Sequence, residues 1–117
     1  MARTYIRSTY QMTADLSWEN ASANFSGNDR LISGMVFTAS TGACEFTVAI
    51  GNAVGSAEQQ DSAIGTGVIL YKKSLQQYET YKFPAPISLT TGWNLYVYGH
   101  TTCTSNLNVN LFGTNIT

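Results

Sequence analysis

The chain contains little charge. Of its 117 residues only 11% are Asp, Glu, Lys or Arg, whereas a typical soluble domain has about 25%. Hydrophobic residues make up 44%, so the chain has enough apolar surface to fold. Its solubility must come largely from Ser, Thr and Asn, whose uncharged groups cost less to desolvate than ions. This composition favours a component of an assembly or a binding module.

Residues that usually carry catalysis or bind metals are few. His100 is the only histidine, which excludes a site built from several histidines, and a solvent-facing position at a strand end is its simplest interpretation. A nucleophilic pair with Cys103 is the alternative, although a boundary between strand and turn does not fix the required geometry. The seven carboxylates are scattered without the spacing of a calcium loop. We therefore predict no enzyme activity and no catalytic, cofactor or metal site.

The sequence also lacks targeting and nucleic-acid signals. The formal net charge of −1 gives no field that would attract nucleic acid or an anionic membrane. No apolar run approaches the roughly 18 residues of a membrane helix, and residues 1–5 do not begin a signal peptide. We expect synthesis in the cytoplasm, no nucleic-acid or membrane partner, and no glycosylation at the triplets that begin at Asn20, Asn24 and Asn115.

Two cysteines, Cys44 and Cys103, are too few for a disulfide framework. If the strands from residue 31 onward alternate in direction, the loops at 39–43 and 101–105 lie at the same end of the fold. A bridge between the two cysteines is then feasible and could add on the order of 4 kcal/mol by constraining the unfolded chain. Synthesis in the cytoplasm favours the alternative of two thiols, with Cys44 as a small core residue.

Alternation of apolar and polar residues recurs along the chain and predicts β-strands. The clearest case is 106–112, where Leu107, Val109 and Leu111 alternate with asparagines that we expect to form an outward, uncharged ladder: Asn106, Asn108 and Asn110. Seven strands are predicted from residue 31 onward, at 31–38, 44–50, 68–71, 78–83, 87–89, 93–100 and 106–112, and 5–12 is a further candidate. A short glycine-containing loop joins 31–38 to 44–50 and predicts that these two strands pair as a hairpin. The polar segment 51–67 is predicted to be an exposed, mobile loop.

About seven short strands separated by turns predict an all-β fold, a single antiparallel β-sandwich of jelly-roll-like type. Residues 1–29 differ, because 15–29 is polar and loop-like around Leu16, Trp18 and Phe25. We divide the chain into an N-terminal arm, 1–29, which pairs with the sheet or reaches a neighbour, and a β-sandwich domain, 30–117. The sheet edges need a partner or a cap, which oligomerisation would supply.

The basic residues form two small groups, Arg3 with Arg7 near the N-terminus and Lys72, Lys73 and Lys82 in the middle of the chain. They are too few and too balanced by acids for a nucleic-acid site. Solvated surface charge is their simplest interpretation, and anchoring to an acidic protein partner is the functional one.

Aromatic residues make up 12% of the chain. Trp93, Tyr96 and Tyr98 fall on one predicted strand, where they suit a protein interface, ordinary packing or a sugar-stacking platform. We expect Tyr96 and Tyr98 on the face opposite Leu95 and Val97. A sugar platform would require the three aromatic rings to be exposed.

Four segments carry a resemblance to a known class: RLISGMVF at 30–37, FTVAIGN at 46–52, GVILY at 67–71 and GWNLYVYG at 92–99. Their order, with a Thr-Gly turn and a Gly-rich loop between them, resembles that of small phage virion proteins of jelly-roll or related β-sandwich type. The resemblance extends from residue 31 to residue 112.

The resemblance implies a structural protein of the virion, either a capsid decoration (cement) protein or a small head or tail accessory subunit. Such a subunit binds the major capsid protein or another virion protein, often as a homotrimer, and its terminal arms make the contact. On this basis we expect Arg3, Tyr5, Arg7 and Tyr10 to bind the partner. The alternative is a carbohydrate-binding or receptor-binding module of a phage tail or head fibre.

Overall fold

The alternating segments form nine strands in the part of the chain that the computed structural model describes, residues 3–13, 18–22, 25, 29–51, 68–84, 86–101, 103 and 106–116. They are β1 (Arg3–Gln11), β2 (Trp18–Asn20), β3 (Asp29–Ala39), β4 (Cys44–Gly51), β5 (Val68–Leu75), β6 (Thr80–Phe83), β7 (Ile87–Leu89), β8 (Asn94–Thr101) and β9 (Leu107–Ile116). The predicted loop over 51–67 lies outside the described residues apart from Gly51, which ends β4. The strands β5 and β9 continue beyond their predicted ends, to Leu75 and Ile116.

The strands form two antiparallel sheets. Sheet 1 has the order β1-β9-β3-β6, and β7 pairs with β3 next to β6; sheet 2 has the order β2-β8-β4-β5. The apolar faces of the two sheets pack against each other in one core. The predicted antiparallel β-sandwich is therefore confirmed.

The predicted hairpin of β3 and β4 is wrong. β3 pairs with β9, β6 and β7, whereas β4 pairs with β5 and β8 in the other sheet. The connection over 40–43 therefore crosses the sandwich, and Phe37 of β3 packs on Phe46 of β4 with ring centroids 5.1 Å apart. Alternation identifies the apolar face of a strand, and that face is buried equally well by stacking two strands as by placing them side by side.

A β-bulge in β3 shifts the alternation of its side chains. The register with β9 changes between Ile32 and Gly34, so the extra residue Ser33 is exposed next to Gly34. Ile32 is buried before the bulge, and Met35 and Phe37 are buried after it. A bulge of this kind changes which positions face the core without ending the strand.

β9 lies at the centre of sheet 1, between β1 and β3. Its residues Leu107, Val109 and Leu111 are fully buried, as the alternation predicts. β1 pairs with β9 over nine consecutive residues, and β2 pairs with β8 in sheet 2. Of the two possibilities for the N-terminal segment, pairing with the sheet is the one that the structure contains.

Polar-tipped side chains close the gap between the sheets on both long sides of the sandwich. On one side the Tyr10 hydroxyl in β1 donates a hydrogen bond to Oε1 of Glu19 in β2. On the other side Nζ of Lys73 in β5 lies 4.6 Å from the ring centroid of Tyr81 in β6, within the range of a cation–π contact. Each pair joins an edge strand of sheet 1 to an edge strand of sheet 2.

Candidate protein-binding face

The register of sheet 1 determines which side chains share its outer face. Tyr5 of β1 lies opposite Thr114 of β9, which lies opposite Leu31 of β3. Two residues further along, Arg7 lies opposite Phe112. Residues paired in an antiparallel ladder point to the same side of a sheet, and these alternate with core positions. They therefore point away from sheet 2.

Large apolar side chains are exposed on this outer face. Tyr5 is 84% exposed, and Leu31 and Phe112 are each 37% exposed. They account for half of the exposed large hydrophobic residues in the described part of the chain: Tyr5, Leu31, Tyr71, Tyr78, Trp93 and Phe112. A cluster of exposed apolar side chains is a common mark of a binding surface, whereas single ones are normal.

A groove of about 310 Å³ opens beside Phe112. It lies where β3 passes from its ladder with β7, at 30–32, to its ladder with β6, at 35–38. Pro84 follows β6 in this interval, and proline interrupts strand pairing because it has no backbone N–H. The bulge residue Ser33 donates a hydrogen bond to the Phe112 carbonyl oxygen, 3.1 Å away. The lining residues are Ser33, Gly34, Met35, Val36, Lys82, Phe83 and Phe112.

Positive charge flanks the apolar side chains. Arg7 and Lys82 are exposed, and Lys82 also lines the groove. Asp29, at the start of β3, is the acidic side chain on this face among the described residues. The face is therefore more positive than the chain as a whole, whose formal net charge is −1.

Hydroxyl and amide side chains cover the other end of the same face. Thr9 donates a hydrogen bond to Oδ1 of Asn110 at 2.7 Å. The hydroxyls of Thr38 and Thr80 lie 3.2 Å apart across β3 and β6. These cross-strand pairs satisfy the hydrogen-bonding groups of the side chains within the sheet. The desolvation cost of covering this face is therefore lower than it would be for unsatisfied polar groups.

Two of the four residues predicted to bind a partner lie together on this face. Tyr5 and Arg7 are exposed there, while Tyr10 lies on the opposite side of β1, facing the core. Its hydroxyl is bonded to Glu19, so Tyr10 connects the two sheets. The backbone of Arg3 pairs with Ile116, and its side chain lies outside the described part of the structure.

The three aromatic residues Trp93, Tyr96 and Tyr98 do not form one exposed platform. Trp93 is 40% exposed in the turn before β8, but Tyr96 and Tyr98 are 7% and 5% exposed. The two tyrosines do point away from Leu95 and Val97, as predicted. They form a second small cluster on the outer side of sheet 2, in which Trp18 packs against Tyr98 with ring centroids 5.1 Å apart.

His100 is half-buried at the end of this aromatic cluster, which differs from the expected solvent-facing position. Its Nε2 lies 2.7 Å from Oγ1 of Thr47, and its ring centroid lies 4.9 Å from that of Tyr98. Thr47 Oγ1 also accepts a hydrogen bond from the Lys72 backbone N–H at 3.0 Å. These contacts join β4, β5 and β8.

The two cysteines are thiols and both are buried. Cys103 donates a hydrogen bond from its Sγ to the carbonyl oxygen of Glu45, the residue after Cys44, at 3.2 Å. The loops before β4 and after β8 therefore do lie at the same end of the fold.

The predicted outward ladder of asparagines includes one residue that has a different role. Asn106 is 3% exposed, and its Oδ1 accepts hydrogen bonds from the backbone N–H groups of Thr41 at 2.6 Å and Gly42 at 2.9 Å. Its amide nitrogen donates back to the carbonyl oxygens of Gly42 and Ala43. Asn106 thus holds the crossover between β3 and β4 in place.

The basic residues in the middle of the chain are divided between the sheets. Lys82 is on the outer face of sheet 1, whereas Lys72 and Lys73 are on the edge strand of sheet 2. The Nζ of Lys72 lies 5.4 Å from the Tyr71 ring centroid, and Lys73 contacts Tyr81. Lys72 and Lys73 therefore do not form a single patch with Arg7 and Lys82.

Arg30 is a buried residue that the sequence did not single out. Its guanidinium donates to the carbonyl oxygens of Phe25 at 3.0 Å, Thr90 at 3.1 Å and Trp93, and to Asn94 Oδ1 at 2.9 Å. Burial lowers the pKa of Arg30, and the nearby charge of Asp29 opposes this shift. Arg30 therefore ties β3 to the turn that precedes β8.

Two of the asparagines that begin Asn-x-Ser/Thr triplets lie in strands, Asn20 in β2 and Asn115 in β9. Asn20 Oδ1 accepts hydrogen bonds from the backbone N–H and the hydroxyl of Ser22, at 2.9 and 3.0 Å. Asn115 is 7% exposed. Asn24, which begins the third triplet, lies outside the described residues.

In the described part of the chain, no group of three or more His, Cys, Asp and Glu residues is placed to hold a metal ion. None of the elements described is a helix long and apolar enough to cross a membrane. No protein-family model matches the chain, and no curated protein matches it.

Proposed function

We propose that this protein is a non-enzymatic structural subunit of a phage virion, a capsid decoration (cement) protein that binds the major capsid protein. Its contact surface is the outer face of sheet 1. The observation that carries this proposal is the concentration of Tyr5, Leu31 and Phe112 on that face. Aromatic side chains beside Arg, with few other charges, are the composition of protein interface cores.

The order of the strands supports the resemblance to virion proteins. The chain crosses repeatedly between the two sheets, whose strand orders are β1-β9-β3-β6 and β2-β8-β4-β5. The two Greek keys of a jelly roll have crossings of this kind. Jelly rolls include viral capsid domains, and also lectins. Because one fold supports many functions, the proposal depends on the outer face of sheet 1 and not on the fold alone.

In this role the sandwich is a rigid block that joins neighbouring capsid subunits. Repetition over a symmetric shell gives avidity from contacts that are individually modest. The resemblance also favours a homotrimer located on the virion. The uncharged polar rows of sheet 1 suit such an assembled state, since amides and hydroxyls are cheaper to cover than ions.

The proposal is tested with two exposed tyrosines on different sheets. Tyr5 is 84% exposed on sheet 1 and Tyr71 is 59% exposed on β5 of sheet 2. We expect Tyr5→Ala to weaken binding to shells of the phage's own major capsid protein by about tenfold or more, as for an interface anchor. Tyr71→Ala should leave binding unchanged. The measurement is co-sedimentation of the purified variants with capsids at increasing concentration.

Point substitutions are preferable to truncation for this test. β1 pairs with β9 over nine residues, so its removal would expose β9 and change the fold itself. Failure of the unmodified protein to bind the shells, or equal losses for the two alanine variants, would contradict the proposal.

A carbohydrate-binding or receptor-binding module of a tail or head fibre is the second candidate. It is favoured by Trp93, which is 40% exposed in the turn that Gly92 forms with a φ of 86°. Glycan-array binding that is lost in Trp93→Ala and kept in Tyr5→Ala would support this function over capsid binding.

A further inference from the structure

The four edges of the sandwich differ in how they are protected. β2 has three residues, while β6 and β7 have four and three and are separated by Pro84. β5 has two register shifts against β4, and Lys72 within it has a φ of 46°. Short strands, prolines and irregular backbone all prevent another strand from pairing with an edge.

β1 has none of these devices. It pairs with β9 over nine consecutive residues without a register shift, and its sequence, RTYIRSTYQ, contains no proline or glycine. Among the strands that the structure describes, β1 pairs only with β9. A long and regular edge of this kind is a template for a further strand.

The alternation of hydrogen-bonded pairs between β1 and β9 shows which backbone groups of β1 point to its outer edge. The Met12 N–H donates to the Leu107 carbonyl oxygen at 3.0 Å, one step beyond the pair of Gln11 with Asn108 and in the same register. Hydrogen-bonded and non-hydrogen-bonded pairs alternate along an antiparallel ladder. The even-numbered residues of β1 are therefore bonded to β9, and the N–H and C=O groups of the odd-numbered residues, such as Tyr5 and Thr9, point outward.

The charge of β1 indicates the kind of strand that fits. β1 contains two arginines and no acidic residue. In the antiparallel pairing of two copies of β1, four arginines would lie on one short ribbon without a carboxylate, and like charges across strands are destabilising. Carboxylates opposite Arg7 would instead gain charge-assisted hydrogen bonds.

We propose that the outer edge of β1 binds an extended acidic segment of the partner protein, which adds to sheet 1 as a further strand. Its backbone bonds to the odd-numbered residues of β1, and its carboxylates lie beside Arg7. This mode of binding rests on the proposed function, because it makes the virion partner the source of the strand. The added strand would also extend the outer face that contains Tyr5.

The test uses the full chain and a synthetic probe. The probe is a peptide as long as the nine residues of β1, in which Glu alternates with Val; the matched control peptide has Lys in place of Glu. Amide hydrogen exchange is followed by NMR. In the protein alone, we expect the amides of Tyr5, Arg7 and Thr9 to exchange at least about tenfold faster than those of Ile6 and Ser8. The Glu peptide should slow the odd-numbered amides, and the Lys peptide should not.

Two substitutions at one position separate the backbone from the side chain. Thr9→Pro removes an N–H that points outward, which an edge strand tolerates, and should abolish the protection by the peptide. Thr9→Ala keeps the N–H and should bind within about twofold of the unmodified protein. Retained slow exchange at Ile6 and Ser8 shows that either variant is folded. As a second variant, Arg7→Glu should weaken binding of the Glu peptide and strengthen binding of the Lys peptide.

Three results would overturn the proposal. Slow exchange of the odd-numbered amides in dilute protein would show that the chain covers its own edge. Protection that rises with protein concentration alone would identify a second copy as the occupant. Peptide binding without slowing of these amides would place the peptide elsewhere. None of these results affects capsid binding through Tyr5, so loss of the edge site and loss of the proposed function are separate outcomes.

Discussion

A Cβ atom at Gly113 of β9 would lie 1.9 Å from the carbonyl oxygen of Leu31 and 3.1 Å from Cα of Ile32. Both neighbours are backbone atoms of β3, directly before the bulge at Ser33. A flexible side chain could turn aside, but the backbone of a strand paired on both sides cannot. Glycine is therefore required at this position for β3 and β9 to approach each other.

We expect Gly113→Ala to lower the free energy of unfolding by about 2 kcal/mol or more, which is the usual cost of overpacking. Gly34→Ala is the matched control, because its Cβ would meet the Phe112 side chain at an ordinary 3.5 Å. The control should change stability by less than about 1 kcal/mol. Urea denaturation of both variants measures the difference, and equal effects would show that sheet 1 relaxes around the added methyl group.

At the residue scale, part of the candidate site is readable from the sequence. Residues 3, 5 and 7 share one parity in a strand and residue 10 has the other, so the separation of Tyr10 from Tyr5 and Arg7 is already implied by period 2. The burial of Tyr96 and Tyr98 is not implied. Their rings are covered by contacts such as that of Trp18 with Tyr98, and Trp18 lies in the segment 15–29, where alternation does not predict a strand.

At the scale of elements, the sequence locates most strands but not their neighbours. The alternation at 106–112 predicts β9 and its buried face, because it reports local burial. The predicted pairing of β3 with β4 failed, because the choice of a neighbour depends on all the strands that compete for each edge. The placement of Phe112 on the same face as Tyr5 and Leu31 depends on that choice and on the bulge in β3. Alternation in the sequence therefore does not predict it.

The edge strands β1 and β2 belong to different sheets and are joined by Tyr10 and Glu19. The Glu19 carboxylate accepts hydrogen bonds from the Tyr10 hydroxyl and from the Thr13 N–H, the latter at 3.0 Å. Burial, then the hydrogen bond to Glu19 and its charge, raise the pKa of Tyr10 to about 12 from an ordinary value of 10.0. The folded protein therefore holds this proton more tightly than the unfolded chain does.

A group whose pKa is raised by folding stabilises the protein fully below its unfolded pKa and loses that effect as the pH rises through its folded pKa. The contribution of Tyr10 should thus be complete below pH 10 and decline towards pH 12. We expect Tyr10→Phe to cost about 1 kcal/mol at neutral pH and to remove this decline. Urea denaturation from pH 8 to 12 measures both effects.

Glu19→Gln is the control for this prediction, because it keeps an acceptor for the Tyr10 hydroxyl but removes the charge. Its stability should fall less steeply with pH than that of the unmodified protein. Parallel pH profiles for Tyr10→Phe and the unmodified protein would show that this contact does not couple stability to pH.

At the scale of the whole molecule, the low charge of the chain corresponds to rows of uncharged polar residues on one face. The rows of Thr and Asn lie on the outer face of sheet 1, where Thr9 bonds to Asn110 and Thr38 lies beside Thr80. In contrast, the outer side of sheet 2 has aromatic residues that are already buried within the chain. The two outer faces therefore differ, because the cluster of exposed apolar side chains formed by Tyr5, Leu31 and Phe112 lies on sheet 1.

The single core that joins the sheets should protect both cysteines as one unit. Cys44 and Cys103 are 3% and 0% exposed and belong to the same core cluster, so each thiol becomes reactive only when the sandwich opens. We expect a thiol-specific reagent to modify both cysteines with one rate constant. That rate should be at least about 1,000-fold lower than in denaturant, because native domains are stable by roughly 5 kcal/mol or more.

Gly113→Ala tests this coupling, because it weakens the packing of β9 on β3 and leaves both cysteines unchanged. If the sandwich opens as a whole, the variant should accelerate the modification of Cys44 and Cys103 by the same factor. A cysteine introduced at the exposed residue Ser88 provides the control, with fast modification in both backgrounds. Faster reaction at one native cysteine alone would show that its end of the core opens locally, and the absence of reactive thiols in denaturant would reveal a disulfide between them.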